Sequence, residues 1–204
     1  MPVQLPPQLV RLFLLSMVSY WLSLAPNPLA AQTINVQPLL PPASLPDSIR
    51  FAGVDSLIRK VYWKQSPDTA FALIDEVINS VEDAENSVHY RRAFRRRAGL
   101  LNLQGDFPAA INAYEQQIEV YKAATYDKER RFRAIALAYR YRAILLRKVG
   151  RTSEALEQYE QSLAYAEAAG ESGLLRKSQT LNSMGNLYFN LREYELAEEK
   201  YTEA

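Results

Sequence analysis

Cysteine is absent from all 204 residues. That excludes a disulfide framework, a thiolate nucleophile and a lipid attached through an N-terminal cysteine. Histidine occurs once, at His89. Glu85 lies four residues earlier and would share its helix face, but two ligands without a third do not make a metal site. Glycine is scarce at 7 residues, and neither a glycine-rich phosphate loop nor a nucleophile-elbow serine occurs. Charge of one sign is missing as well: 24 Lys and Arg face 23 Asp and Glu, a net charge of +1. Nucleic-acid binding needs a basic face and usually an overall basic domain. The composition therefore points away from catalysis, cofactor chemistry, metal binding and nucleic acid.

Proline is confined. Only two of the 11 prolines, Pro67 and Pro108, lie beyond residue 46. Each follows a residue suited to capping a helix, Ser66 or Asp106, so each falls in a first helical turn, where the missing amide hydrogen is not needed. Gly105 and Gly150 stand where helices should end, because glycine accepts the left-handed conformation of a C-terminal cap. Gly170 and Gly173 mark a further turn. No stretch alternates with period two long enough to form a strand. The expected class is all-α.

The N-terminal segment lacks charge, Arg11 being the only charged side chain in the first 46 residues. Residues 12–24 (LFLLSMVSYWLSL) form an apolar run of 13, ended by Pro26 and Pro28. Such a run is short for a bilayer span and suits the core of a signal peptide. Ala30 and Ala31 follow, so cleavage is expected after Ala31 or one residue earlier, with an uncleaved signal anchor as the alternative. Residues 32–46 hold four prolines and no charge and read as an extended leader. The mature chain, about 173 residues, is long enough for one elongated helical domain and carries no further membrane span. With Arg11 removed, 23 basic residues balance 23 acidic ones. An exported protein, periplasmic or extracellular, is expected.

What the chain does contain is a regular line of small and aromatic residues in LNSMGNLYFNLREYELAEEKYTEA: Leu181, Met184, Gly185, Tyr188, Tyr194, Ala197, Tyr201 and Ala204. Small residues sit where two helices must touch, and aromatic residues sit where the gap between them must be filled. The line resembles the tetratricopeptide repeat, which places a large residue, then Leu-Gly, then Tyr, and later Ala, Tyr and Ala. Ala197 and Tyr201 are preceded by Ala155 and Tyr159, by Ala110 and Tyr114, and by Ala70 and Ile74, at offsets of 42, 45 and 40 residues. In the first helices, Val54, Leu57 and Val61, then Phe94, Ala98 and Leu101, then Tyr139, Ala143 and Leu146 take the places of Leu181, Met184 and Tyr188. The short form of the repeat has a period of about 34 residues, so the resemblance is to the extended type with longer helices. It implies a right-handed α-solenoid of antiparallel helix pairs, about four repeats near 47–86, 87–126, 127–171 and 172–204, the last incomplete. Leu100, Ile111, Ile118, Leu145 and Leu163 are among an apolar stripe at helical spacing, and Ala98, Ala143 and Gly185 allow the closest helix approach. These are core positions.

Charge alternates between helices. Residues 88–103 carry Arg91, Arg92, Arg95, Arg96 and Arg97 with no acid, net +5, and residues 130–148 carry net +7. The following helices, 107–124 and 152–169, carry −1 and −4, and 68–85 carries −6. In tetratricopeptide arrays the first helices line the concave groove, so the resemblance implies a positive groove and a negative back. The groove stripe then falls on Arg92, Arg95, Gly99 and Asn102 in unit two, on Leu137, Arg140, Ile144 and Arg147 in unit three, and on Gln179, Asn182, Asn186 and Phe189 in unit four. Arginine forks onto carboxylates, and asparagine bonds a peptide backbone on both sides. The candidate partner-binding residues are therefore Arg92, Arg95, Asn102, Arg140, Arg147, Asn182 and Asn186. The set is similar to the clamp by which some members hold an acidic peptide end, with a different order of residues. Arg97 and Arg142 fall where the family usually has leucine, so they should face the partner helix and pair with its acids. The other arginines have the same alternative, a solvated ionic lattice of little energetic weight.

Two functions are compatible with these features. One is an exported scaffold that holds an acidic or carboxylate-bearing protein or peptide segment. The other is the extracytoplasmic sensory region of a longer signalling protein of the sensor-kinase or transcription-regulator type. The last helix begins near Glu193 and has reached only Ala204, with no polar capping helix, so a fragment or an end covered by another molecule is expected.

Overall fold

The computed structural model describes residues 34–42, 45–62, 65–81 and 87–204. The expected signal segment with Arg11, Ala30 and Ala31, the start of the leader, and the acids Glu82, Asp83 and Glu85 lie outside the described residues. Among those described there are α-helices and no strand. The α-helices are α1 (Asp47–Leu57), α2 (Pro67–Ser80), α3 (Val88–Gln104), α4 (Phe107–Ala123), α5 (Lys128–Lys148), α6 (Thr152–Ala168), α7 (Leu174–Asn190) and α8 (Tyr194–Glu203). A π-helical turn, Ile58–Tyr62, continues α1, and short 3-10 turns occupy Gln37–Leu39 and Gly170–Gly173.

Local chemistry sets the helix ends. The Ser87, Asp106 and Asp127 side chains accept the amides of Tyr90 (3.2 Å), Ala109 (3.1 Å) and Arg130 (2.7 Å), satisfying donors that the first turn leaves free. Pro67 and Pro108 sit in the first turns of α2 and α4. Ser66 precedes Pro67, but its hydroxyl meets Thr69 at 2.7 Å instead of a backbone amide. The turns closing α3, α5 and α7 share one geometry. Gly105 (φ 79°), Gly150 (φ 80°) and Arg192 (φ 64°) are left-handed. The next amide in each case reaches back to the helix, Asp106 to Leu101 (3.1 Å), Arg151 to Leu146 (2.9 Å) and Glu193 to Tyr188 (3.0 Å). The third copy of the turn thus forces a non-glycine residue into a conformation that L-residues disfavour.

Each helix packs on its neighbours in sequence, and α1 also touches α3 as α5 touches α7. Two apolar cores result. Phe51, Val54, Leu73, Ile74 and Val77 join Ala93 and Leu100 of α3, while Ala98 of the same helix belongs to a larger core with Ile118, Ile135, Leu146, Tyr159 and Leu187. Ala93 and Leu100, seven residues apart, share one face, so α3 is buried on two sides. Val36 is buried in the first core, so part of the leader belongs to the fold. Between α5, α6 and α7 runs a buried polar thread. The Ser162 hydroxyl donates to the Ala136 carbonyl (2.8 Å) and meets Thr180 Oγ1 (2.8 Å), which lies 2.8 Å from the Arg176 carbonyl. Gly185 lets α8 close on α7: a Cβ there would stand 2.5 Å from the Tyr201 ring. Tyr194, Leu196 and Tyr201 leave apolar surface exposed on α8. Among the described residues no helix is long and apolar enough to cross a membrane.

Candidate functional site

The arginines of α3 and α5 divide into two groups by what they touch. At about 100° per residue, five arginines within two turns of α3 must point in different directions. Arg96 turns towards α1 and forks onto Asp55, at 2.8 and 3.3 Å. Arg97 pairs with Asp75 of α2 at 3.2 Å. Arg91 is buried, its guanidinium 4.0 Å from the Tyr126 ring centroid. On α5, Arg142 reaches Glu115 of α4 (3.2 Å) and Gln158 of α6 (2.8 Å). Lys177 of α7 meets Glu167 of α6 at 3.0 Å. Each first helix therefore hands a cation to the second helix of the preceding pair, and the ion pairs tie one pair to the next. Arg97 and Arg142 do meet acids of second helices, but those of the preceding pair and not of their own partner helix.

The second group is different. Arg95 of α3 and Arg133 and Arg140 of α5 each lie near enough to Arg176 of α7 to bear on its charge, and no ion pair to an acid holds any of the four among the described residues. Their contacts are neutral. Arg140 donates weakly to Ser183 (3.4 Å) and lies 4.9 Å from the Tyr141 ring centroid, and Arg176 donates to Gln179 (2.8 Å). On α5 the Nε groups of Arg131, Arg133, Arg140, Arg142 and Arg147 are all buried without an acceptor among the described residues, a feature common to both groups. Tyr114 and Tyr141 stack beside Arg140, centroids 5.7 Å apart and planes at 22°.

The electrostatics follow from this crowding. Burial and the like charges of Arg140, Arg133 and Arg95 push the Arg176 pKa down, against a smaller opposing effect of Tyr141. Burial pushes the Tyr114 hydroxyl well up, more than Arg140 and Arg95 pull it down. Tyr121 is raised by burial against Arg95, Arg91 and Arg92, and Tyr159 by burial against Arg147 and Arg140. Both tyrosines stay neutral at physiological pH, so they do not balance the arginines.

The candidate residues from the sequence are distributed as follows. Arg92 is exposed on α3 and near enough to Asp55 to favour its carboxylate, Arg95 and Arg140 belong to the cluster, and Arg147 lies beside Tyr159. Asn102 sits in the last turn of α3, where its carbonyl accepts the Gly105 amide (3.2 Å). Asn182 and Asn186 are exposed on α7. The first donates to the Ser178 carbonyl (3.1 Å), and the second accepts the Tyr201 hydroxyl (2.8 Å). Of the candidate arginines only Arg95 and Arg140 are brought near Arg176, while Asn182 bonds within α7 and Asn186 bonds across to α8. Arg133 and Arg176 join the cluster although the groove stripe omits them. Each lies about one turn before the stripe begins in its helix, which a stripe extended by a turn would have included.

A cavity of about 10 Å³, the size of one water, is lined by Phe51, Asp55, His89, Arg92 and Arg96. The His89 ring lies 5.7 Å from that of Phe51, and Glu85 is outside the described residues. Among the described residues no three His, Cys, Asp or Glu side chains converge on a metal-sized space. Forked donors beside stacked tyrosines, with no counter-ion paired to them among the described residues, could accept an anion. No protein-family model and no curated protein sequence matches the chain.

Proposed function

We propose that the chain is an exported binding scaffold of the tetratricopeptide type. Its helix pairs stack as a right-handed solenoid, and its first helices line a basic groove for an acidic or carboxylate-bearing protein or peptide segment. The observation that carries this reading is the division of the arginines. Arg97 and Arg142 have acids from the preceding pair, while Arg95, Arg133, Arg140 and Arg176 crowd together against tyrosines. A purely structural ionic lattice would neutralise its charges locally. Cations held close together with neutral neighbours instead favour an anion arriving from outside. The sequential helix contacts and the recurring turn at Gly105, Gly150 and Arg192 support the repeat architecture.

The sensory region of a longer signalling protein is the second reading. It draws on the exposed Tyr194, Leu196 and Tyr201 of α8, an apolar surface suited to a further helical contact. The discriminating experiment captures partners from an envelope fraction with the wild-type chain and with a variant carrying Arg92→Ala, Arg95→Ala and Arg140→Ala. The groove reading expects a partner held by the wild type and lost by the folded variant. A partner held equally by both, and lost when Leu196 and Tyr201 are replaced by serine, would transfer the function to α8.

A further inference from the structure

We propose that the groove at Phe94, between α3 and α4, docks an aromatic side chain carried beside a lysine or arginine on an extended segment of a partner protein. The site is separate from the arginine-lined face and does not rest on that reading. Phe94 occupies the place that Val54, Tyr139 and Leu181 hold in the other units. Those three side chains are buried, whereas Phe94 is only partly covered and belongs to neither apolar core. Tyr90 meets its ring edge-on, at 5.0 Å and 61°. Phe94 and Arg97 of α3, with Glu115, Gln116, Glu119 and Val120 of α4, line a groove of about 490 Å³. The following unit shows how the fold fills this place. The counterpart of Val120, 45 residues on, is Tyr165. Tyr165 stacks on Tyr139, centroids 5.6 Å apart and planes at 22°, and meets Phe132 edge-on at 5.3 Å. Valine has no ring to lay against Phe94, so unit two lacks the pair that closes unit three. A ring delivered from outside restores it, and such pairs add stability beyond the area they bury. The rim selects the charge beside the ring. Glu115 and Glu119 are exposed one turn apart on α4. Each meets a cation through one oxygen, Glu115 Oε2 with Arg142 (3.2 Å) and Glu119 Oε1 with Lys122 (3.0 Å). The second oxygen of each can take a donor from the partner. Arg97 is engaged by Asp75 at 3.2 Å, so its charge is already balanced.

The test is titration of the whole labelled chain, followed by NMR, with the end-capped tetrapeptides Gly-Tyr-Arg-Gly, Gly-Leu-Arg-Gly and Gly-Tyr-Glu-Gly. The first should shift the Val120 methyls and the Phe94 ring and bind about fivefold more tightly than the leucine peptide. The glutamate peptide should bind about threefold more weakly than the first, and raised salt should narrow that difference. Val120→Tyr supplies the missing ring from within. That variant should melt no lower than wild type and bind the first peptide at least about tenfold more weakly. Phe94→Leu keeps the groove apolar but removes the stacking surface, so it should bind the tyrosine and leucine peptides equally. Wild-type binding that ignores the ring, or binding that survives Val120→Tyr in a folded chain, overturns the site. So does the absence of a Val120 shift at millimolar peptide. Val120 shifts on dilution of the chain alone would give the groove to a second copy and overturn the peptide reading.

Discussion

Arg140 and Arg142 stand two residues apart on α5, yet removing their side chains should have opposite consequences. Arg142 is mostly buried and connects three helices, through Glu115 on α4 and Gln158 on α6. Glu115 is 55% exposed, so solvent screens the ion pair to about 0.5 kcal/mol. The Gln158 bond adds about 1 kcal/mol. Arg142→Ala should therefore destabilise the fold by about 1.5 kcal/mol, or roughly 3–6 °C in Tm for a chain of this size. Arg140 loses only a 3.4 Å bond to Ser183, which keeps its own 2.8 Å bond to the Gln179 carbonyl, and a ring contact with Tyr141. Against that loss stands relief of the repulsion between Arg140 and Arg176. The two nearly cancel, and Arg140→Ala should stay within about 0.5 kcal/mol of wild type. Thermal melts by circular dichroism at low and high salt measure both. Salt should narrow any gain of the Arg140 variant, because it screens the repulsion. If Arg140→Ala melts as low as Arg142→Ala, Arg140 is structural and the division of the arginines collapses.

Three further outcomes follow from particular contacts. Gly185→Leu places a Cβ 2.5–2.9 Å from Tyr201 ring atoms and pushes the ring off α7; hydrogen exchange should show α8 loosening, at about 1–3 kcal/mol, before the other helices. Arg192→Gly relieves the left-handed backbone and should raise Tm, by about 0.5–1 kcal/mol in stability, whereas Gly105→Ala should lower it. Asp55 is the acid-sensitive point. Burial raises its pKa, but the hydrogen-bonded Arg96, with Arg59 and Arg92, overcomes that and holds it below its ordinary value. Its stabilising effect is present above the unfolded pKa of about 4 and fades as pH falls through the lower folded value. Urea titrations from pH 7 to 2 should show that loss in wild type and its absence in an Asp55→Asn variant already weaker at pH 7.

The helical layout was legible because its punctuation is local. Pro67 and Pro108 announce first turns, Gly105 and Gly150 announce ends, and the structure has all four in those places. Arg192 was invisible as a turn residue because nothing in its chemistry prefers a left-handed backbone; the repeat spacing forces it there. The π-helical turn at Ile58–Tyr62 has no signature in the apolar pattern either. Proline and the lack of charge predict a wholly extended leader, and burial of Val36 in the first core overrides the local preference. The stripe's spacing separates Arg95 and Arg140, which meet no acid among the described residues, from Arg97 and Arg142, which pair with Asp75 and Glu115, because a helical face is a matter of spacing. Arg133 and Arg176 escaped because a motif register has fixed ends while a helix face continues past them. Asn182 and Asn186 were chosen for their bonding capacity, which Ser178 and Tyr201 partly occupy. The buried thread of Ser162 and Thr180 joins residues 18 apart on different helices, a proximity no local pattern encodes.

The central claim is that one set of arginines waits for an anion while the other is already engaged. Arginine side-chain Nε–H spectra of the labelled chain, recorded during titration with hexaglutamate, test it residue by residue. The account predicts that Arg92, Arg95, Arg140 and Arg147 shift with the peptide. Arg97 and Arg142, held by Asp75 and Glu115, should stay in place. Shifts of equal size at Arg97 and Arg142, or no shift in either set, would contradict it.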